Sequence, residues 1–427
     1  MPQPLESRAR YMPGLDGLRA VAVLAVIAYH LNLTWAPGGL LGVGVFFVLS
    51  GYLITNLLLA ERERTGTIAL GEFWRRRARR LFPALWVMLG VVILWAALGE
   101  PSRLPMLRGD VVAALLYYSN WWYAVSHVAY FASFGPPSPL GHLWSLAVEE
   151  QFYLVWPLLL AVGAYVLARR PKPVVPLVLR MRPALGLRPL LPVTLIVLAA
   201  AASAALMALM WSPGHDPDRV YYGTDTRAFE LLLGAALAFV WPSRRLVRPL
   251  RGGQRATLDV LGFTGLAVIA VLIVVTDQYH WFIYRGGFLL LSVATVAVIA
   301  AASHPATLTR RVLGVAPLRW LGVRSYGVYL WHFPVIVLTT PLVDTTGPHV
   351  IRGLIQVGAT VLIAAVSWRY VEQPIRLHGF GVLLMPLRSA RFAIAGQTTA
   401  LYDAAIASAL VVGATGSGLV GLALPAR

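Results

Sequence analysis

The 427-residue chain contains no cysteine. Disulfides, thiolate catalysis and cysteine acyl-enzymes are therefore excluded. Charge is scarce as well. Only 13% of residues are charged while 58% are hydrophobic, and a soluble protein carries about twice that charged fraction. Lysine is reduced to Lys172 alone, an arginine bias of the kind that GC-rich bacterial genomes produce. Neither a H-E-x-x-H run nor any other ligand spacing for a metal occurs. P-loop and dinucleotide fingerprints are missing too, as is G-x-S-x-G. No metal and no bound cofactor are expected. The opening MPQPLESRARYMPG is polar with no cleavage pattern, so no signal peptide is expected.

What remains is a set of apolar runs and arginine-rich loops. The formal charge of +18 would suit nucleic acid, but the arginines cluster in short loops between apolar segments. That pattern sets membrane topology, and no nucleic-acid partner is expected. Segments long enough to span fall at 17–34, 40–60, 81–99, 143–168, 190–211, 227–242, 257–276, 286–303, 321–340, 350–371 and 396–424. The stretch 108–125 is ambiguous, being weakly apolar and interrupted by Ser119 and Asn120. Arginine counting decides it. With the N-terminus cytoplasmic and 108–125 not spanning, loops 61–80 (seven Arg), 169–189 (five Arg plus Lys172) and 243–256 (five Arg) all lie inside. If 108–125 spanned, the last two would lie outside, against the positive-inside rule. The expected fold is therefore all-α: a polytopic transmembrane helical bundle of ten spans plus an eleventh, multi-pass in the cell membrane. Residues 100–142 form one external or re-entrant loop.

Ionisable residues at membrane depth mark functional sites. Arg19 and His30 are eleven residues apart in the first segment. Eleven residues make about three helical turns, so both fall on one face, roughly 16 Å apart. That places one near the membrane edge and the other close to mid-bilayer. His30 suits a general base, since histidine titrates near neutrality; a packing histidine is the alternative. Arg19 is either an anion ligand or a snorkelling topology residue. In FWRRRARRLFP, Arg77 and Arg80 are three apart, and guanidinium forks suit phosphates; plain topology charge is the alternative. HLWSLAVEEQFYLVWP puts Glu149 and Glu150 at a membrane entry. One can face the interior and pair with His30 or an arginine while the other faces water. Asp225 and Arg227 in YYGTDTRAFELLLG suggest an ion pair or a polar acceptor-binding surface. SYGVYLWHFP brings Tyr326, Tyr329 and His332 within two turns, where Pro334 kinks or opens the helix. An aromatic belt explains the tyrosines but not His332. Ser50 lacks the flanking glycines of a nucleophile elbow.

Together these motifs resemble the acyltransferase family 3 integral membrane O-acyltransferases. The residues that carry the likeness are GLDGLRAVAVLAVIAYH, GVGVFFVLSGYLIT, RRRARRLFP, YYSNWW, HLWSLAVEEQFYL, TDTRAFELLLGA, SYGVYLWHFP and YVEQPIR, in that order. The likeness spans roughly residues 11–376. It implies an acyltransferase transmembrane domain over 1–376. A cytoplasmic linker at 377–395 and a C-terminal eleventh helix at 396–427, ending outside, would follow. It also implies an enzyme that moves an acyl group, often acetyl, from cytoplasmic acyl-CoA to a hydroxyl. The acceptor would be an envelope glycan, a lipid-linked sugar or a small molecule, met at the lipid membrane. By the resemblance His30 is the essential base, with Glu149 and Glu150 as its catalytic carboxylates, and Arg77 and Arg80, with Arg19, hold the donor phosphates. Asp225, Arg227, Tyr326 and His332 are the expected substrate-binding residues. Many relatives have Asp where this chain has Gly44. Many also carry an external SGNH-type hydrolase-like domain after the eleventh span, so a separate SGNH-type partner is a further expectation. Two other classes share the architecture: a transporter or flippase of a lipid-linked glycan, and a non-catalytic scaffold. The paired broken repeats usual in transporters are not evident.

Overall fold

In a bilayer each backbone polar group must be satisfied within its own element, and these apolar runs do so as helices. The computed structural model describes residues 11–126, 137–169, 190–246, 250–341 and 350–381, and no strand occurs among them. The order is α1 (Pro13–His30), α2 (Gly42–Thr65), α3 (Leu70–Gly99), α4 (Leu104–Leu115), α5 (Ser119–Ser126), α6 (Trp144–Arg169), α7 (Leu190–Met210) and α8 (Asp218–Tyr222). Then come α9 (Thr224–Val240), α10 (Gly252–Val275), α11 (Phe288–Ser303), α12 (Leu308–Leu313), α13 (Ala316–Val323), α14 (Ser325–Thr339), α15 (Val350–Ser367) and α16 (Gln373–His378).

Seven helices among the described residues are long and apolar enough to cross a membrane. They coincide with the apolar segments read at 40–60, 81–99, 143–168, 190–211, 257–276, 286–303 and 350–371. The other described segments form α1, α9 and α14, with 18, 17 and 15 residues. Of these shorter helices, α9 carries buried Arg227 and Glu230 and α14 carries buried His332. α9 lies between α2 and α7, and α14 packs on α15 and α1. The chain is a multi-pass helical membrane protein. The eleventh segment at 396–424, and all but the first few residues of the 377–395 linker, lie outside the described residues.

The ambiguous 108–125 stretch is broken. α4 and α5 have 12 and 8 residues, well short of the ~20 that a crossing needs. Between them Tyr117 sits at φ 52°, a costly conformation for a bulky residue. The break is tied down from α6: Gln151 Nε2 donates to the Tyr117 carbonyl at 2.9 Å and to Asn120 Oδ1 at 2.9 Å. Thr224 Oγ1 donates back to Gln151 Oε1 at 2.5 Å. Asp110 in α4 accepts from Trp122 Nε1 at 2.9 Å and from the Ser138 hydroxyl.

Small residues allow α2 and α9 to touch backbone to backbone. Gly51 lies against the Leu231 carbonyl and Gly234 against the Val48 carbonyl. A methyl at either point would drive into a carbonyl that no rotamer change can move. Gly234→Ala is therefore expected to cost about 1–3 kcal/mol, the usual range for overpacking, and to lower the thermal unfolding midpoint in detergent. An unchanged midpoint would show that this crossing tolerates separation.

Candidate active site

Residues from α1, α2, α3, α6 and α14 enclose a cavity of about 60 Å³. Arg19, Arg77 and Arg80 all line it, with Glu149, Ser50, Tyr153, Tyr326 and Tyr329. The three-residue spacing of Arg77 and Arg80 does place both on one face. Arg19, Arg77 and Arg376 all lie within electrostatic reach of Arg80. Buried Arg19 Nε has no protein partner, and the Arg77 guanidinium stands 5.6 Å from the Phe73 ring centre and 5.7 Å from that of Tyr153. Clustered like charges repel one another, so such a pocket favours an anion that neutralises them. Three carboxyl groups lie within electrostatic reach of these arginines: Glu149 and Glu150 on α6, and buried Glu372 in the π turn Trp368–Glu372. Ser367 Oγ donates to Glu372 at 3.2 Å. Glu372 is a site residue that the sequence reading had only inside a motif.

Glu149 faces the cavity, but it is not the partner of His30. Ser50 Oγ donates to Glu149 Oε1 at 2.9 Å, and Tyr153 OH donates to Oε2 at 3.1 Å and to Ser50 Oγ at 2.9 Å. The carboxylate is engaged in that triangle. Glu150, about 100° further round the helix, sits half-buried beside Arg77 and Arg80. The expectation that a glutamate orients His30 is corrected: the ring facing His30 belongs to His332, with His332 Nε2 3.0 Å from His30 Nδ1.

α1 ends at His30, and Asn32 turns the chain at φ 54°. The imidazole thus stands at the end of its helix rather than midway along it. It is partly exposed, with the Phe333 ring centre 4.7 Å away. His332 is fully buried and its Nδ1 lies 2.5 Å from the Tyr329 carbonyl. It is a partner of the proposed base rather than a free substrate ligand. Tyr326 lines the cavity, and its hydroxyl is used on the Leu81 carbonyl at 2.7 Å.

His142 was not anticipated. It too is fully buried, with Nε2 3.1 Å from the Leu330 carbonyl. The available signal was Pro334. A proline lacks N–H and frees the carbonyl four residues back, here that of Leu330, and a buried orphan carbonyl needs a donor. The same logic explains Trp74, whose Nε1 donates at 3.0 Å to the Tyr153 carbonyl freed by Pro157.

The ion pair expected between Asp225 and Arg227 does not form. Residues two apart on a helix do not face each other. Asp225 instead takes two hydrogen bonds from Arg219, at 3.0 and 2.7 Å, on the half-exposed end of α9. Burial opposes its charge, but Arg219 outweighs it and holds the Asp225 carboxyl below the usual range. Arg227 pairs three residues on with Glu230 at 3.1 Å, and both are fully buried. Its guanidinium lies 4.2 Å from the Phe288 ring centre and 5.1 Å from that of Tyr221. Arg227 therefore offers no acceptor-binding surface. Gly44 faces Glu230: a β-carbon there would lie 2.9 Å from Glu230 Oε1.

Among the described residues no cluster of His, Asp or Glu could hold a metal. Although His30, His142 and His332 are close, His332 Nδ1 and His142 Nε2 are taken by carbonyls.

A family model described as an acyltransferase domain matches residues 12–370. The chain is similar to the peptidoglycan O-acetyltransferase OatA of Listeria monocytogenes, 48% identical over 371 residues, covering 87% of this chain and 57% of the relative. A putative peptidoglycan O-acetyltransferase, YrhL of Bacillus subtilis, is 46% identical over 87% of the chain and 56% of its own length. The O-acetyltransferase OatA of Staphylococcus aureus is 42% identical, over 90% and 60%. The chain thus spans less than two thirds of the length of these relatives. No solved structure matches it.

Proposed function

This chain belongs to the membrane acyltransferase family (acyltransferase family 3), and on that premise we propose that it is a bacterial O-acetyltransferase. It moves an acetyl group from cytoplasmic acetyl-CoA to a hydroxyl of an envelope glycan, with peptidoglycan the first candidate. The observation that carries the reading is one cavity holding Arg19, Arg77 and Arg80. Guanidinium groups match phosphate oxygens in pairs, and the CoA donor supplies those phosphates. The proposed topology has ten spans plus an eleventh, with the N-terminus inside, so the arginine side of the cavity opens to the cytoplasm and α1 ends towards the outer face at His30.

In the proposed reaction, the acceptor hydroxyl gives its proton to the His30 imidazole as its oxygen attacks the thioester carbonyl. The C–S bond breaks, and the CoA thiolate leaves with the proton returned from the imidazolium. Glu149 holds Ser50 and Tyr153 in the cavity wall. The donor stays inside while the acceptor waits outside. The likeness to peptidoglycan O-acetyltransferases supports the acceptor class; nothing in the site favours a transporter.

The test uses purified protein in nanodiscs with [14C]acetyl-CoA and muropeptides, following CoA release and the acetyl ester by mass spectrometry. Arg80→Ala is expected to raise KM for acetyl-CoA roughly 10- to 100-fold. That is the loss of one charge-assisted hydrogen bond of about 1.5–3 kcal/mol. Arg77→Ala is expected to act in the same direction. Acetyl-CoA binding equal to wild type in both variants would place the donor elsewhere.

A further inference from the structure

The three buried-site histidines are arranged so that backbone carbonyls dictate which nitrogen carries each proton. A carbonyl oxygen only accepts, so a ring nitrogen facing one must bear the hydrogen. His142 Nε2 is 3.1 Å from the Leu330 carbonyl and is the protonated nitrogen of that ring. His332 Nδ1, 2.5 Å from the Tyr329 carbonyl, is likewise protonated. The His332 ring is fully buried, and its contacts are that carbonyl, the Val328 backbone, His30, His142, Tyr329 and Phe333. None of these is an anion, so a second proton on His332 would be a buried charge with no counter-ion. In the neutral ring Nε2 holds the lone pair, and it faces His30 Nδ1 at 3.0 Å. That geometry needs a hydrogen on His30 Nδ1. The Val26 carbonyl, one turn back on α1, also bonds the His30 ring. Helical side chains lean back along that direction, and Nδ1 is the ring nitrogen nearer the backbone, so Val26 favours the same tautomer.

We propose that His332 is a positioning residue that sets the tautomer of His30, placing hydrogen on Nδ1 and the basic lone pair on Nε2. The Tyr329 carbonyl anchors the chain of bonds. Pro334 opens this turn, and His142 keeps it in place by satisfying the carbonyl that Pro334 frees. This assignment replaces a substrate-binding role for His332. Its catalytic consequence rests on the reading of His30 as base, but the tautomer does not.

The experiment is 15N NMR of histidine-labelled protein in nanodiscs, with His30→Gln used to assign the His30 ring. The nitrogen shifts separate protonated from bare nitrogen. Wild type is expected to show His30 with Nδ1–H. His332→Ala is expected to give a mixture of the two tautomers. His332→Gln, whose side-chain oxygen reaches about where Nε2 stood, is expected to restore Nδ1–H. In acetyl transfer, His332→Ala is expected to lower kcat in proportion to the Nδ1–H tautomer lost, roughly two- to tenfold, with KM for acetyl-CoA unchanged. His332→Gln should recover most of that loss. A wild-type His30 bearing its hydrogen on Nε2, or a His30 tautomer indifferent to both His332 variants, would overturn the proposal. If wild-type protein transfers no acetyl group but keeps the NMR pattern, the tautomer assignment stands and the proposed function fails.

Discussion

His30→Gln is expected to stop acetyl transfer while the donor still binds. Glutamine keeps an amide near the ring position but cannot take a proton at neutral pH. Positioned general bases contribute about 10²–10⁴-fold, so kcat should fall by that factor. The donor arginines sit on the cavity wall, and His30 is not among the residues lining it, so the dissociation constant for acetyl-CoA should change less than threefold. The fold should survive. His30 is the last residue of its helix and partly exposed, and the hydrogen bond to His332 is worth about 0.5–1.5 kcal/mol. Initial rates of CoA release beside an acetyl-CoA binding isotherm separate the two effects. Full transfer by a folded His30→Gln protein would remove His30 from the chemistry, and the Ser50–Glu149 pair would be the next group in the cavity to examine.

The sequence showed most where helical periodicity alone decides. Arg77 and Arg80 fall on one face at any helix angle near 100° per residue, and the cavity contains both. The long apolar runs became the crossing helices because composition and length are enough to specify them. Partner choice was not legible in this way. His30 meets a ring 302 positions away, which no local spacing encodes. Two neighbouring acidic residues pointed to a glutamate partner, yet Glu149 was taken by Ser50 and Tyr153, one from α2 and one from its own helix. One error was avoidable: Asp225 and Arg227 are two apart and could not face each other on α9, whereas Arg227 and Glu230 are three apart. Pro334 also held more information than a kink, because the carbonyl it frees had to find a buried donor, and that donor is His142.

Arg227→Ala is expected to abolish accumulation of folded protein, and adding Glu230→Leu to Arg227→Met is expected to restore it. Both charges are fully buried at 3.1 Å, and α9 packs between α2 and α7. Removing the guanidinium leaves the Glu230 carboxylate without its counter-charge, a loss of about 3–5 kcal/mol in comparable buried pairs. A net stability of roughly 5–15 kcal/mol has little room for that loss together with the gap left among Phe47, Trp144, Tyr221 and Phe288. Replacing both partners removes the desolvation cost of both charges, and apolar substitutes of similar volume are often neutral or stabilising. The Arg227→Met/Glu230→Leu protein should therefore elute as a single monodisperse species in detergent, with a melting midpoint near that of wild type. Its acetyl transfer then reports on the pair directly. Retained activity means that the pair serves to build the wall behind Phe47, which lines the cavity. A folded but inactive double variant would instead assign the pair a part in the reaction.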